Sequence, residues 1–381
     1  MLNHFLNRTL LTTASLGTAL MLVPVCTAIP ATDGKTATTA SDAMVVPASF
    51  TNPVYTGNLA DPYCWYYDGM YYAIGTGSGE GPRDKTKNVP MIKSRDLQHW
   101  EYVGRVLNVP SDEQSGAVWA PETAYDHGTF YLYYHANGNG KGFRIRVATS
   151  KNPEGPYTDI GTPLTDVTKN DFAIDSTAFR DDDGQWYLFY ATDFTNHDAT
   201  TFRGTALVMD RLIGMTKLAG KPETVMRAHW RWQIYEHNRN MRGEVADWFT
   251  LEGPEVIKHA GKYYCFYSGG NYQNDSYGED YLMADNIHGP WRETGKNRGP
   301  QILRSVPGKV IGPGHCSIVH SPDGRDFIVY HAWNKAMTAR QVWVDPLVWT
   351  TNGPVVERFQ ARIAEVNSQV DAARTNKNSS R

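Results

Sequence analysis

The segment AIDSTAFRDDDGQWYLFY, residues 173–190, contains the pattern that decides the fold. A short strand-like run ends at Asp183 and Gly184, and a second run rich in aromatic residues follows. A turn dipeptide of this kind between two strand-like runs is a strong signal for a β-hairpin. The segment therefore predicts two antiparallel strands joined by a tight turn, with Asp175 near the beginning of the first strand.

The same pattern occurs four more times, each time with a glycine at the turn. The other copies are YYDGMYYAIG around Gly69, YDHGTFYLYY around Gly128, KHAGKYYCFY around Gly261 and SPDGRDFIVY around Gly324. The turn glycines recur at intervals of about sixty residues, which leaves room for two further strands in each repeat. The repeats predict an all-β chain folded as a five-bladed β-propeller, in which each blade buries its aromatic face against its neighbours. A β-sandwich with five unrelated hairpins is the alternative; it is less favoured because helical periodicity is nearly absent between the repeats.

Polar residues recur at a nearly fixed distance before these turns. Asp175, Glu252 and His315 each lie nine residues before a turn glycine, and Asp61 lies eight residues before Gly69. The innermost strand of each propeller blade lines a central channel, so equivalent positions on different blades converge near the axis. The pattern therefore predicts that two aspartates, a glutamate and a histidine share one small space.

The beginning of the chain is typical of a signal peptide. Residues 1–28 contain a positive charge at Arg8, an apolar stretch and the small-residue sequence Cys26-Thr27-Ala28. Cleavage is expected near Ala28, and the protein is expected to be secreted, either extracellularly or into a periplasm. Acylation at Cys26, which would anchor the protein to a membrane, is the alternative.

The remaining sequence divides into three parts. Residues 29–50 are rich in Thr, Ala and Ser and are expected to form a flexible lead. Residues 51–358 form the predicted propeller domain. Residues 359–381 are polar and are expected to be a frayed C-terminal tail.

Composition narrows the class of partner. A net charge of −3 argues against nucleic acid, which usually requires a basic surface, and the apolar stretch of the leader is short for a membrane span. The chain has 11 Trp and 22 Tyr, a surplus that can stack on sugar rings or fill the interfaces between blades. Cys64, Cys265 and Cys316 remain after cleavage; their odd number and their spacing predict core packing, without a disulfide framework or a zinc site. A monomer is expected.

Three converging carboxylates suit the hydrolysis of a glycosidic bond. One carboxylic acid protonates the leaving oxygen, and in an inverting enzyme a second carboxylate activates water across roughly 6.5–9.5 Å. A third carboxylate near the acid raises the pKa of that acid by like-charge repulsion and keeps it protonated near neutral pH. The sequence therefore predicts an enzyme that acts on an oligo- or polysaccharide. A lectin-like propeller without catalysis is the alternative from another class, but it has no need of all three carboxylates.

The motifs around these residues resemble the landmarks of glycoside hydrolase family 43, in family order and at family spacing. They are Asn58-Leu59-Ala60-Asp61-Pro62, Trp119-Ala120-Pro121-Glu122, Ile174-Asp175-Ser176, Leu251-Glu252-Gly253-Pro254 and Gly312-Pro313-Gly314-His315. The resemblance extends from Asn52 to about Glu357 and implies a five-bladed propeller with an inverting mechanism. It implies that Asp61 is the general base, that Asp175 orients and sets the pKa of the acid, and that Glu252 is the general acid.

The resemblance also implies roles for residues that bind the substrate. Trp119 matches a subsite aromatic, and Glu122 stands where many members have Asp or His. His315 matches an axial histidine that often lies beside a bound ion, so a structural Ca²⁺ near His315 is expected, with no organic cofactor. Arg340 resembles an arginine that some exo-acting members direct at the sugar. Taken alone, His315 could equally be a structural hydrogen-bonding residue, and Arg340 an ordinary ion-paired residue.

Two questions stay open at this level. The Trp-rich segment from Arg227 to Phe249 could form a wall at the pocket mouth or pack on the side of the propeller. The expected sugar is α-L-arabinofuranosyl, in arabinan or arabinoxylan, with a β-D-xylosidase or galactosidase as the alternatives within the family. A related propeller that acts on fructans with retention fits the motifs less well.

Overall fold

The computed structural model describes residues 46–379, apart from residues 78, 139, 141, 167, 169, 170, 242 and 295–298 and the side chains of residues 369–379. The predicted signal peptide, the alternative acylation site at Cys26 and most of the predicted flexible lead lie outside the described residues. No helix in the described ranges has the length and apolar character that a membrane span requires.

The described residues form five antiparallel meanders, an extra hairpin and a C-terminal helix. The first meander contains β1 (Ala60–Tyr67), β2 (Met70–Thr76), β3 (Lys87–Ser94) and β4 (Trp100–Asn108); the second contains β5 (Val118–Asp126), β6 (Thr129–Ala136), β7 (Arg144–Ser150) and β8 (Tyr157–Asp159). The third contains β9 (Ala173–Arg180), β10 (Trp186–Phe194), β11 (Gly204–Arg211) and β12 (Glu223–Met226), and is followed by a 3-10 turn (Arg231–Gln233) and the hairpin β13 (Ile234–Met241) and β14 (Glu244–Phe249). The fourth contains β15 (Leu251–His259), β16 (Lys262–Gly269), β17 (Gly278–Ala284), β18 (Arg292–Glu293) and β19 (Leu303–Arg304). The fifth contains β20 (Ile311–His320), β21 (Asp326–Trp333), β22 (Arg340–Thr350) and β23 (Gly353–Val355), and is followed by helix α1 (Glu357–Ser379).

The five hairpins expected from the sequence join the first and second strands of the meanders. All five turn glycines have φ between 72° and 86°, a conformation that glycine adopts without steric cost. The predicted all-β class is confirmed.

The first strands of the meanders lie side by side and close a ring. β1 lies beside β5, β5 beside β9, β9 beside β15, β15 beside β20, and β20 beside β1. The first two meanders are also joined at their outer edges, where β4 and β8 pair in parallel. The beginnings of the first strands, where the predicted site residues lie, are thereby brought together.

Hydrophobic clusters fill the spaces between successive meanders. The second strands supply many of these side chains because they are buried on both faces, which requires nearly continuous apolar runs. In β2, for example, Tyr71 and Ala73 pack with residues of the fifth meander, whereas Tyr72 and Ile74 pack with residues of the second. The three cysteines of the described chain are free and buried, as their spacing predicts.

The domain boundaries differ from the prediction at both ends. Val46 and Phe50, assigned to the flexible lead, are buried, and the Phe50 ring packs edge-on against Phe327 at 5.5 Å. The predicted polar tail is instead helix α1, whose Phe359 is buried and whose Arg362 Nη1 lies 2.8 Å from Asp345 Oδ2. One buried aromatic residue and one ion pair fix the first turns of a segment whose composition is otherwise polar.

Candidate active site

Each of the five first strands has an irregular pairing with its second strand near its beginning, and at least one residue there has a left-handed backbone; β20 also contains Gly312, with φ 52°. These residues are Asp61 (φ 51°), Ala120 (35°), Asp175 (54°), Gly253 (55°) and His315 (51°). Non-glycine residues rarely adopt this conformation and keep it only where the surrounding structure enforces it. We refer to these five positions as the bulge positions.

The backbone N–H groups of the bulge positions are held by the neighbouring meanders. Asp61 donates to His331 Nδ1 and Asp175 donates to His135 Nδ1, both at 3.1 Å. His315 donates to Ser268 Oγ at 2.7 Å. His331, His135 and Ser268 are fully buried, so each of these anchors is fixed inside the protein.

These anchoring residues were not predicted from the sequence, although the repeat contains a signal for them. His135, Ser268 and His331 each lie seven residues after a turn glycine, as does Thr76, which accepts the N–H of Ala120 at 2.7 Å. A polar residue at one fixed place in an apolar second strand is a repeat feature of the same kind as the carboxylates.

A cavity of about 250 Å³ lies where the first strands begin. It brings together six of the seven predicted site residues, namely Asp61, Trp119, Asp175, Glu252, His315 and Arg340. The Trp119 ring stacks on Phe143 at 3.9 Å and stays 37% exposed, so one aromatic face is available to a ligand.

Asp61 is surrounded by positive and polar nitrogen groups. Its Oδ1 accepts a hydrogen bond from Arg340 Nη1 at 2.9 Å, and the Nδ1 atoms of His315 and His331 both lie 3.4 Å away. Burial alone raises the pKa of Asp61, but Arg340 and the two histidines outweigh it and hold the pKa well below its usual range. Asp61 is therefore ionised at any pH near neutrality.

Glu252 lines the same cavity, but its surroundings shift its pKa in the opposite direction. Burial, together with the charge of Asp61, raises the pKa of Glu252 to about 7, although Tyr277 donates a hydrogen bond to its Oε1 at 2.6 Å. Burial and the charges of Glu252 and Asp61 also raise the pKa of Asp175, whose Oδ2 accepts the Gly253 N–H at 3.1 Å. Glu252 and Asp175 therefore form a buried pair that retains a proton near neutral pH.

Asp175, Glu252 and His315 each offer one ligand atom within 4.8 Å of the others, so these three residues could share an ion. Calcium prefers carboxylate and carbonyl oxygens, usually six to eight of them at about 2.3–2.6 Å. The two carboxylates fit that preference, whereas the imidazole nitrogen of His315 does not.

Glu122 lies outside the cavity lining, in contrast to its predicted contact with substrate. It follows the bulge position Ala120 by two residues and is buried beside Thr177 and Glu255, which are the corresponding residues of β9 and β15. Glu255 accepts hydrogen bonds from the Thr177 hydroxyl at 3.3 Å and from the Ile318 N–H at 2.9 Å. The bulge redirects the strand, so residues two positions beyond it belong to a deeper layer.

The Trp-rich segment from Arg227 to Phe249 both lines the cavity and packs on the side of a meander, the two alternatives that the sequence left open. Its hairpin β13–β14 supplies Tyr235, Arg239, Met241 and Trp248 to the cavity wall. Its first part packs on the fourth meander, where Trp230 Nε1 donates to Glu293 Oε2 at 2.6 Å.

The model of glycosyl hydrolases family 43 matches residues 50–355. The chain belongs to this family. The resemblance of its motifs is confirmed, and the chain is a glycoside hydrolase, which rules out the lectin-like alternative.

Several named relatives and one solved structure are similar to this hydrolase. It is 30% identical over 306 residues to the beta-D-galactofuranosidase xynD of Aspergillus niger, covering 76% of this chain and 78% of the relative. It is 24% identical over 301 residues to the extracellular exo-alpha-(1->5)-L-arabinofuranosidase ArbA of Cellvibrio japonicus, covering 73% and 80% of the two chains. It spans only 55% of the xylosidase/arabinosidase 43B of Humicola insolens, to which it is 25% identical. The crystal structure of a thermostable family-43 glycoside hydrolase superposes with a TM-score of 0.69 at 29% identity, covering 81% of this chain and 96% of the other.

Proposed function

We propose that this family 43 hydrolase cleaves α-L-arabinofuranosyl linkages in plant-type polysaccharide with inversion of configuration. Relatives named as arabinofuranosidase and galactofuranosidase both act on five-membered sugar rings, which supports a furanosyl substrate. A galactofuranosyl substrate is the second candidate, because the relative at 30% identity carries that name. A xylosyl substrate ranks third.

The proposed roles rest on one contrast: the surroundings lower the pKa of Asp61 and raise the pKa of Glu252, and both carboxyl groups line the same cavity. Asp61 stays ionised beside Arg340 and acts as the base that activates water. Glu252, with a pKa of about 7, acts as the acid that protonates the leaving oxygen. Asp175 shares the proton and the negative charge of the pair with Glu252, and so maintains the acid near neutral pH.

We also propose that the five meanders are the blades of a five-bladed propeller. The closed ring of first strands and the hydrophobic clusters between successive meanders support this count. In that arrangement the cavity lies at one end of the central channel, with Trp119 and the hairpin β13–β14 at its rim.

The substrate is tested by a screen of nitrophenyl glycosides and of arabinan, xylan and galactan oligomers, with products resolved by size. Activity on α-L-arabinofuranosyl substrates above all others is expected. Proton NMR during the first minutes should show the inverted anomer of the product, because water attacks directly. A retained anomer would remove Asp61 from the role of base.

The acid and the base are separated by the leaving group. Glu252→Ala should lose about 10²–10⁴-fold on an oligosaccharide, whose leaving group needs a proton, and far less on a dinitrophenyl glycoside. Asp61→Ala should lose both activities together, because every substrate needs the activated water. Equal losses on both substrates for Glu252→Ala would refute its assignment as the acid.

We also propose a bound calcium ion, export of the protein and a monomeric state. A Ca²⁺ beside His315 should stabilise the folded protein, so chelation should lower the melting temperature and added calcium should restore it. Export is tested by the N-terminus of the mature protein, which should begin near residue 29. A monomer is tested by light scattering.

A further inference from the structure

The carboxyl group of Glu252 is held by a buried tyrosine that the sequence did not single out. Tyr277, which directly precedes β17, donates its hydroxyl to Glu252 Oε1 at 2.6 Å, and only 1% of Tyr277 is exposed. Within the described part of the chain, this is the one hydrogen bond that the Glu252 side chain receives from another side chain.

The ring of Tyr277 has little freedom to move. A Cβ on Gly314 would lie 2.6 Å from Tyr277 Cε1, so the glycine is what admits the ring at this place. The ring also stacks on His331, with ring centroids 5.7 Å apart and an interplanar angle of 10°. Gly314 and His331 both belong to the fifth meander, so Tyr277 packs against that meander and the position of its hydroxyl is fixed.

The direction of the hydrogen bond follows from charge. An ionised carboxylate has no proton to donate, so the Tyr277 hydroxyl is the donor when Glu252 is ionised. When Glu252 is protonated, the same contact keeps Oε1 as the acceptor. The acidic proton then lies on Oε2.

We propose that Tyr277 is a positioning residue for the general acid, which holds Glu252 Oε1 so that the transferable proton lies on Oε2. The proposal rests on the assignment of Glu252 as the acid. In the reaction, the Oε2–H proton moves to the glycosidic oxygen as the C–O bond breaks, and that oxygen keeps the bonding electron pair. The water oxygen forms the new bond to the anomeric carbon, and its proton passes to the Asp61 carboxylate. Glu252 becomes a carboxylate and Tyr277 keeps its own proton. Because a hydrogen bond to an ionised acceptor is stronger than one to a neutral acceptor, the contact strengthens as the proton leaves.

The test is Tyr277→Phe, assayed with two leaving groups. On an oligosaccharide, kcat should fall about 10- to 100-fold, the effect of one hydrogen bond to a charged group, with KM little changed. On the dinitrophenyl glycoside of the same sugar, kcat should stay within about twofold, since departure of that group needs little protonation. This split is one that a general loss of stability would not produce.

Tyr267→Phe is the matched control. Tyr267 is also fully buried in the fourth meander, and its hydroxyl donates to a carboxylate, Glu293 Oε1 at 2.9 Å, outside the cavity. This variant should leave both activities unchanged. Gly314→Ala is the second variant, because its Cβ would lie 2.6 Å from the Tyr277 ring and 2.9 Å from Ser268 Oγ, and so displaces the ring without removing either hydroxyl. It should reproduce the selective loss on the oligosaccharide, and it keeps the test available if Tyr277→Phe does not fold.

The outcomes separate this inference from the proposed function. A selective loss for Tyr277→Phe, absent in Tyr267→Phe, supports the positioning role. Unchanged kcat on the oligosaccharide, or equal losses on both substrates, overturns it. If Glu252→Ala shows the leaving-group split and Tyr277→Phe does not, the positioning role fails alone. If Glu252→Ala lacks the split, the assignment of the acid fails first.

Discussion

The bulge positions of the first, third and fifth meanders differ from those of the second and fourth. Asp61, Asp175 and His315 carry functional groups into the cavity, whereas Ala120 and Gly253 carry none. The backbone is nevertheless left-handed at all five, with φ between 35° and 55°. The bulge is thus a property of the repeat, and the chemistry depends on which side chains it presents.

The two meanders without a functional bulge residue reach the cavity from the preceding position. Trp119 precedes Ala120 and Glu252 precedes Gly253, and both line the cavity wall. The proposed acid and the proposed base therefore stand on inequivalent positions of their strands. This offset is compatible with placing Asp61 and Glu252 on different sides of a bound sugar, as inversion requires.

The largest effect is expected when the proposed base, Asp61, is replaced. Asp61→Ala places alanine at this bulge position, and Ala120 shows that alanine adopts a left-handed backbone at the equivalent position of the second meander. Activity on both leaving-group classes should fall by at least about 10²–10⁴-fold, while the free energy of unfolding should change little. Kinetics and urea denaturation measure the two effects. Unfolding of this variant would mean that the Asp61–Arg340 pair is structural.

A smaller effect is expected at the neighbouring aspartate. Asp175→Asn keeps an oxygen that can accept the Gly253 N–H but removes the negative charge beside Glu252. Asp175 and Glu252 repel each other as like charges, so without the Asp175 charge the apparent pKa of the proposed acid should fall. The alkaline limb of the pH–rate profile should therefore move to lower pH. An unmoved limb in an active, folded variant would contradict the coupling.

The sequence was sufficient for the hairpins and for the convergence of Asp61, Asp175 and His315. Turn glycines act locally, and a repeated spacing places equivalent residues at equivalent heights. Equating Glu252 with Asp175 by a count from the turn glycine was less successful, because the turns differ in length. Two residues separate the paired strands at Gly261, but five separate them at Gly184. The count therefore shifts by one, and Gly253 is the true equivalent of Asp175.

The remaining features depend on contacts that no local pattern encodes. Tyr277 meets Glu252 only because Gly314, far away in sequence, leaves space for its ring. Glu122 leaves the cavity because the bulge at Ala120 redirects β5. The first turns of α1 are fixed by Phe359 and by an Arg362–Asp345 ion pair with the fifth meander.

The smallest effect is expected at Gly253, which, like Ala120, is a bulge position without a functional side chain. Ala120 shows that the bulge accepts a Cβ, whereas a Cβ on Gly253 would lie 3.1 Å from the His315 ring. Gly253→Ala should cost about 1–2 kcal/mol for the left-handed backbone, with a further cost if His315 cannot move by a few tenths of an ångström. Gly261→Ala is the matched control, because its φ of 77° is also left-handed and no atom lies within 4 Å of the added Cβ. The difference between the two variants in the free energy of unfolding, measured by urea denaturation, isolates the contact with His315. Only Gly253→Ala should also reduce kcat, by less than about tenfold, because it displaces His315 beside Asp61. If the two variants lose equal stability and both retain full activity, His315 has room to move, and the glycine at the fourth bulge serves the backbone alone.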